Sequence, residues 1–84
     1  MITEDQNVTQ GNEPSAMNRE YAPHQQRVID EATELKDKIQ KLNDFIRNND
    51  FFKTLEMDEQ LRMIKQLAFM QCYFNVLDER IHSF

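Results

Sequence analysis

The sequence predicts an all-α protein: an antiparallel two-helix hairpin with a short helical turn in the connection, assembled as a homo-oligomeric helical bundle. Three observations support this. Two apolar seams of similar length follow a heptad spacing, one short polar connection separates them, and the second helix carries an additional apolar face. With 84 residues, the chain can form at most one small domain, and so small a domain needs help from a metal, disulfides or a partner subunit.

The first 20 residues are expected to form a flexible acidic tail. They contain the only glycine, Gly11, and few apolar groups that recur at any period. Four acidic residues against Arg19 give this segment a net charge of −3, out of −5 for the whole chain. The rest is nearly balanced, with both signs interleaved, which argues against binding a nucleic-acid duplex and against mimicking one.

The first helix is predicted over about residues 23–47. Pro23 suits the first turn of a helix, where its missing N–H costs nothing. The apolar residues that follow are spaced 4, 3, 4, 3, 4: Val28, Ala32, Leu35, Ile39, Leu42 and Ile46. Asn48 and Asn49 should end this helix, because asparagine tolerates the left-handed conformation common at helix ends, and Asp50 should cap the next element.

The connection and the second helix complete the hairpin. The segment DFFKTL is predicted to form one helical turn, with Phe51 or Phe52 covering the end of the hairpin. The second helix should span about residues 57–82, with Asp58 and Glu59 at the positive end of its dipole. Its apolar seam has the matching spacing 4, 3, 4, 3, 4, 3: Met63, Leu67, Met70, Phe74, Leu77, Ile81 and Phe84.

The second helix is apolar on two sides. In the stretch LAFMQCYFNVL, nine of eleven residues are apolar. At about 100° per residue, a second group falls roughly opposite the seam. Its members are Leu61, Ala68, Phe69, Cys72 and Val76. Burying each of four or five such side chains is worth roughly 1.5–3 kcal/mol, so we expect self-association through this face. Docking of a different protein is the alternative.

A binding site is predicted where the two ends of the hairpin meet. Tyr21, His24 and Arg27 should approach Arg80 there. Arginine presents a planar fork to phosphate or carboxylate, aromatic rings can stack on a base, and the helix start near Pro23 adds free N–H donors. This combination indicates an anion or nucleotide pocket. The alternative is that both arginines pair with nearby carboxylates, that His82 is solvated and that Phe84 is only the last residue of the seam.

Other chemistry finds little support in the sequence. His24 and His82 lack the HxxxH spacing of a helical metal site, and Cys72, the only cysteine, sits among apolar neighbours as an expected buried, inert thiol. One glycine cannot build a glycine-rich phosphate loop. We therefore expect no enzyme, no cofactor and no metal. Without a signal-like segment or a span of sufficient length, no membrane partner is expected either, which favours the cytoplasm.

Two segments, HQQRVIDEATELKDKIQKLNDFI and EQLRMIKQLAFMQCYFNVLDERIHSF, resemble a family of small accessory proteins encoded by bacteriophages and prophages, including crAss-like phages. The resemblance covers about residues 21–84. It is carried by His24, Arg27 and Val28, by Leu35, Lys38, Ile39, Lys41, Leu42, Phe45 and Ile46, and by Tyr73, Leu77, Arg80, Ile81 and Phe84. It implies a phage accessory protein acting in the host bacterial cytoplasm.

A looser similarity, in size and architecture, links the chain to the anti-CBASS and anti-Thoeris sponges of phages. Those oligomeric proteins sequester cyclic nucleotides or ADP-ribose-type immune signals between subunits. Their glycine-tyrosine-arginine segment is absent here, although NREYAPHQQR offers a tyrosine, a histidine and two arginines in a comparable place. The leading hypothesis is therefore a non-enzymatic counter-defence protein that sequesters a nucleotide signal. The alternatives are a protein inhibitor of a host defence or nucleic-acid-processing complex, and a virion or assembly component.

Overall fold

The computed structural model describes residues 20–84, so the expected flexible tail lies outside the described residues except for Glu20. Helix α1 spans Pro23–Asn48, a 3-10 helix spans Asp50–Thr54, and helix α2 spans Met57–His82. No strand occurs among these residues. The two long helices pack against each other, which confirms the predicted helical hairpin.

The ends of α1 are set by local hydrogen bonds. Pro23 is its first residue, and the Ala22 N–H donates to Gln25 Oε1 at 2.9 Å, which satisfies one donor at the helix start. At the other end, Asn49 has an extended backbone (φ −101°, ψ 121°), so the expected left-handed ending is wrong. The Asn49 side chain instead accepts from the Phe51 N–H at 2.9 Å and caps the 3-10 helix, the role expected of Asp50.

The two predicted seams meet in the core. Val28, Ala32 and Leu35 of α1 are buried together with Leu77 of α2, which is only 1% exposed. Partly buried side chains extend this cluster along both helices: Ile39, Met70, Phe74, Ile81 and Phe84. The heptad spacing therefore identified the residues that join the helices, because residues three and four apart lie on one face of a helix.

Phe52 covers the closed end of the hairpin. It is buried, and its ring meets Phe45 edge-on with 6.1 Å between centroids, whereas Phe51 is exposed. Of the two phenylalanines considered from the sequence, Phe52 is the one that packs inside. The start of α2 is tied to this connection by the Gln60 amide, which donates to the Leu55 carbonyl oxygen at 2.9 Å.

The second apolar face of α2 is exposed in the single chain. Phe69 is 66% exposed, Leu61 53% and Val76 52%, and Ala68 and Cys72 are also exposed. The expected burial of the Cys72 thiol is therefore wrong for the hairpin alone. Among residues 20–84, no helix combines the length and apolar character that crossing a membrane requires.

Candidate functional site

An open groove lies at the end of the hairpin where α1 begins and α2 ends. Its volume is about 390 Å³, within the range of about 300–1,000 Å³ typical of small-molecule pockets. The residues that line it come from both helices and from the segment before α1: Tyr21, Ile29, Ala32, Thr33, Lys36, Phe74 and Ile81. A groove of this size can hold a flat ring together with one or two attached groups.

Helix periodicity explains why these residues share one groove. Ile29, Thr33 and Lys36 are spaced 4 and 3, so they form a stripe along one flank of α1 beside the buried seam. Phe74 and Ile81 belong to the seam of α2 and stay partly buried, which leaves their remaining surface to form the facing wall. The groove therefore results from the packing of the two helices, and the stripe on the flank of α1 extends it.

Tyr21 closes the groove at the open end of the hairpin. It precedes α1, and its ring meets Phe84 edge-on, with 6.1 Å between centroids and an angle of 61° between the planes. Aromatic pairs prefer this edge-to-face arrangement and gain about 0.5–1.5 kcal/mol from it. The contact joins the segment before α1 to the segment after α2. The start of the first helix therefore lies beside the end of the second, as predicted from the sequence.

The groove surface is mainly apolar, and three of its lining residues also carry a polar group: Tyr21, Thr33 and Lys36. The Thr33 hydroxyl donates to the Ile29 carbonyl oxygen at 3.0 Å, which leaves its lone pairs free to accept. Lys36 is exposed and forms no ion pair with any of residues 20–84. An apolar ring could lie against Phe74 and Ile81 while an attached anion meets the Lys36 ammonium.

One of the four predicted ligand-binding residues lines the groove. Tyr21 lines the groove, whereas His24, Arg27 and Arg80 are exposed and are not among its lining residues. Residues two apart on a helix point about 200° apart, so Arg27 projects from the flank of α1 away from Ile29. Neither arginine forms an ion pair within residues 20–84, so the alternative pairing with nearby carboxylates does not occur there. Ligand contacts by these three residues stay a prediction.

His82 is held at the end of α2 by its own helix. Its Nδ1 lies 2.8 Å from the Asp78 carbonyl oxygen and 3.5 Å from the Asp78 carboxylate. Both groups are exposed, so this pair contributes little to stability. The second histidine is thus placed by a local i,i+4 contact on the surface of the hairpin.

Most of the groove was not predicted from the sequence. Lys36 and Thr33 were not among the predicted site residues, and Phe74 was predicted only as part of the seam. A signal was present, since Ile29 is an apolar residue next to the seam with Thr33 and Lys36 at the following helical positions. Whether such a stripe faces open space or a neighbouring element depends on the packing of α2.

A second depression lies at the closed end of the hairpin and differs in character. Its volume is about 670 Å³, and the lining residues are Lys41, Asp44, Phe45, Asn48, Asn49 and Asp50. Its carboxylates disfavour an anionic ligand, and its one lysine already pairs with Asp37 at 3.0 Å. Among residues 20–84, no group of three or more histidine, cysteine, aspartate or glutamate side chains is arranged to hold a metal ion.

Fold and groove together define a small helical-hairpin protein with a ligand-sized apolar site at its open end. The chain belongs to the Sequestin family, whose model matches residues 22–83. The match includes both helices, the connection and every lining residue of the groove except Tyr21. Neither a curated protein nor a solved structure matches the chain.

Proposed function

We propose that this protein is a non-enzymatic phage counter-defence factor that sequesters a nucleotide-type immune signal, such as a cyclic nucleotide or an ADP-ribose derivative, in an oligomeric helical assembly. The observation that carries the proposal is the groove between Tyr21, Phe74 and Lys36, in a member of a family whose name refers to sequestration. The resemblance of residues 21–84 to phage accessory proteins supports the phage setting.

The groove offers both kinds of contact that a nucleotide needs. A base can lie against the ring of Phe74 and the side chain of Ile81, with Tyr21 at the edge. The Lys36 ammonium can meet a phosphate oxygen, and hydrogen bonds to charged groups are worth about 1.5–3 kcal/mol. The exposed arginines Arg27 and Arg80 supply further cations in this part of the hairpin.

Sequestration requires binding without turnover, and the composition of the groove suits that. Within the part of the chain that the structure describes, its lining includes no histidine, cysteine, aspartate or glutamate, which are common general bases and nucleophiles. The two histidines and Cys72 lie outside the lining and are exposed. A groove lined mainly by apolar side chains, with one lysine, suits binding of a ligand, which supports the non-enzymatic part of the proposal.

Self-association is part of the proposal because the hairpin core is thin. Only five apolar side chains among residues 20–84 are buried: Val28, Ala32, Leu35, Phe52 and Leu77. Two helices with so small a core are marginally stable in water. Covering the exposed face of α2 with a second chain would bury several more apolar side chains. Each Å² of apolar surface removed from water stabilises the assembly by about 25 cal/mol.

The test is ligand binding by the purified protein. Thermal shift and calorimetry with a panel of cyclic oligonucleotides and ADP-ribose derivatives should reveal stabilisation by at least one compound. Lys36→Ala should weaken that binding by about 10- to 100-fold through loss of one charge-assisted contact. The matched control is Lys38→Ala, since Lys38 is an exposed lysine of the same helix outside the groove. If no compound stabilises the wild-type protein, the proposal is wrong.

A second candidate function is inhibition of a host protein complex through the exposed face of α2. The large exposed side chains Leu61, Phe69 and Val76 favour it, because exposed apolar patches often mark protein interfaces. Affinity capture from host lysate distinguishes the two. An inhibitor should recover a stoichiometric protein partner that is lost in a Phe69→Glu variant, whereas a nucleotide sponge should recover none.

A further inference from the structure

The exposed face of α2 carries opposite charges at its two ends. Lys65, Cys72 and Glu79 are spaced seven residues apart, so they follow one line along the helix. At about 100° per residue this line lies opposite the seam that packs on α1, among the exposed apolar side chains. Along α2 the line therefore contains a cation, a small thiol and an anion, in that order.

Both charged side chains lack a partner within the described chain. Lys65 and Glu79 are exposed, and neither forms an ion pair with any of residues 20–84. The ion pairs that do form are local and lie on other parts of the surface: Asp37–Lys41, Asp50–Lys53, Glu59–Arg62 and Asp78–His82. A docking partner of suitable charge could therefore engage Lys65 and Glu79 without breaking an existing pair.

We propose that this face docks a second copy of the chain in antiparallel orientation, about a two-fold axis close to Cys72. Lys65 of each copy then faces Glu79 of the other. The proposal rests on the self-association included in the proposed function, but it does not depend on the identity of the ligand. Its basis is that, when the second copy runs in the opposite direction, each charge on this line comes opposite a charge of the other sign.

Two of the apolar groups, Ala68 and Val76, follow the same symmetry. Ala68 lies four residues before Cys72 and Val76 lies four residues after it, so the reversed copy places an apolar side chain opposite each. Small side chains at Ala68 and Cys72 allow the two helices to approach closely. Leu61 and Phe69 are exposed on the same face and come opposite Ser83 and Asn75 in this register. A two-fold interface of this kind closes on itself and leaves no free copy of the patch.

Charge also selects the orientation. A parallel, in-register pair would place Lys65 against Lys65 and Glu79 against Glu79, and like charges at such short range repel. The antiparallel pair replaces both repulsions with attractions. The seven-residue spacings on either side of Cys72 make the two attractions equivalent, as a two-fold axis requires.

The arrangement leaves the nucleotide-sized grooves open. The groove is formed by the flank of α1 and the inner wall of α2, whereas the docking face is the outer side of α2. Reversal of the second copy places the two grooves toward opposite ends of the dimer. Each dimer should therefore offer two separate grooves, one per chain.

Site-directed cross-linking of the ligand-free, full-length protein tests the orientation. Two variants are made in a Cys72→Ser background, one with Lys65→Cys and one with Glu79→Cys. Positions 65 and 79 are fourteen residues apart, or about 21 Å along a helix, so a bis-maleimide linker shorter than that separation can report orientation. The antiparallel dimer should give a cross-linked product only when the two variants are mixed.

Other outcomes overturn the proposal. A parallel dimer would cross-link each variant alone and give no mixed product, and light scattering that finds a monomer at every concentration would exclude the dimer altogether. Charge reversal supplies an independent check, since Lys65→Glu should weaken dimerisation severalfold and the double variant Lys65→Glu, Glu79→Lys should restore it. Failure of nucleotide binding would leave the cross-linking result unchanged, so the two proposals fail separately.

Discussion

Leu77 is the side chain on which the hairpin depends most, and its truncation gives the sharpest test of the fold. It is 1% exposed and packs among Val28, Ala32 and Leu35. Leu77→Ala removes these contacts and leaves a cavity, which costs about 2–5 kcal/mol in well-packed cores. At about 0.05–0.15 kcal/mol per residue, the described part of the chain has a total free energy of unfolding of about 3–10 kcal/mol. The variant should therefore lose a large share of this stability, and at the lower end of the range it should be largely unfolded.

Urea denaturation followed by far-ultraviolet circular dichroism measures the effect, with the free energy of unfolding extrapolated to water. Met57→Ala is the matched control, because it removes a side chain of similar size that is 65% exposed at the first position of α2. Its expected effect is within about 0.5 kcal/mol of zero. Both variants are measured at several protein concentrations, since association would add to the apparent stability.

The reasoning would be refuted if Leu77→Ala lowered the free energy of unfolding by less than about 1 kcal/mol, the range of a surface change. The same conclusion would follow if the two variants behaved alike. Such results would mean that the buried cluster around Leu77 does not hold the helices together. The heptad spacing would then not identify the residues that stabilise the hairpin, although the helices themselves could still form.

Three further changes test local contacts. Phe84→Leu should lower the free energy of unfolding by about 0.5–1.5 kcal/mol through loss of the edge-on contact with Tyr21, and an unchanged urea midpoint would contradict it. Gln60→Ala should cost about 0.5–1.5 kcal/mol because the Leu55 carbonyl oxygen loses its amide donor; thermal melting measures this, and a stabilised variant would count against it. Asp37→Asn should change stability by less than about 1 kcal/mol at low and high salt, since its pair with a lysine is exposed; a larger, salt-dependent loss in urea titrations would show that the pair matters.

The fold was accessible from sequence because heptad spacing reports which residues share a helix face. Val28, Ala32 and Leu35 were all placed in the seam of α1, and Leu77 in that of α2, and all four are buried. The details of the connection were less accessible. Asn49 was expected to end α1 in the left-handed region, but its backbone is extended. Its side chain accepts a hydrogen bond from the Phe51 N–H and so caps the following 3-10 helix.

The candidate site was only partly accessible. Tyr21 was selected for its ring and its position, and it lines the groove. Lys36 and Thr33 were not selected, because a lysine on the flank of a helix has no sequence feature that separates it from solvated surface. The groove exists because α2 packs beside that flank and leaves Phe74 half-covered, which is a property of the pair of helices.

By itself, the sequence determined that this protein is a helical hairpin with one apolar seam per helix and a second apolar face on α2. These features follow from the period of the α-helix and from the transfer of apolar side chains out of water, both of which act locally along the chain. Only the tertiary structure decided that Phe52 rather than Phe51 closes the hairpin, and that Tyr21 and Lys36 border one groove while Arg27 lies on another flank. The rotation of each helix about its axis fixes these relations, and that rotation is set when the two seams interlock.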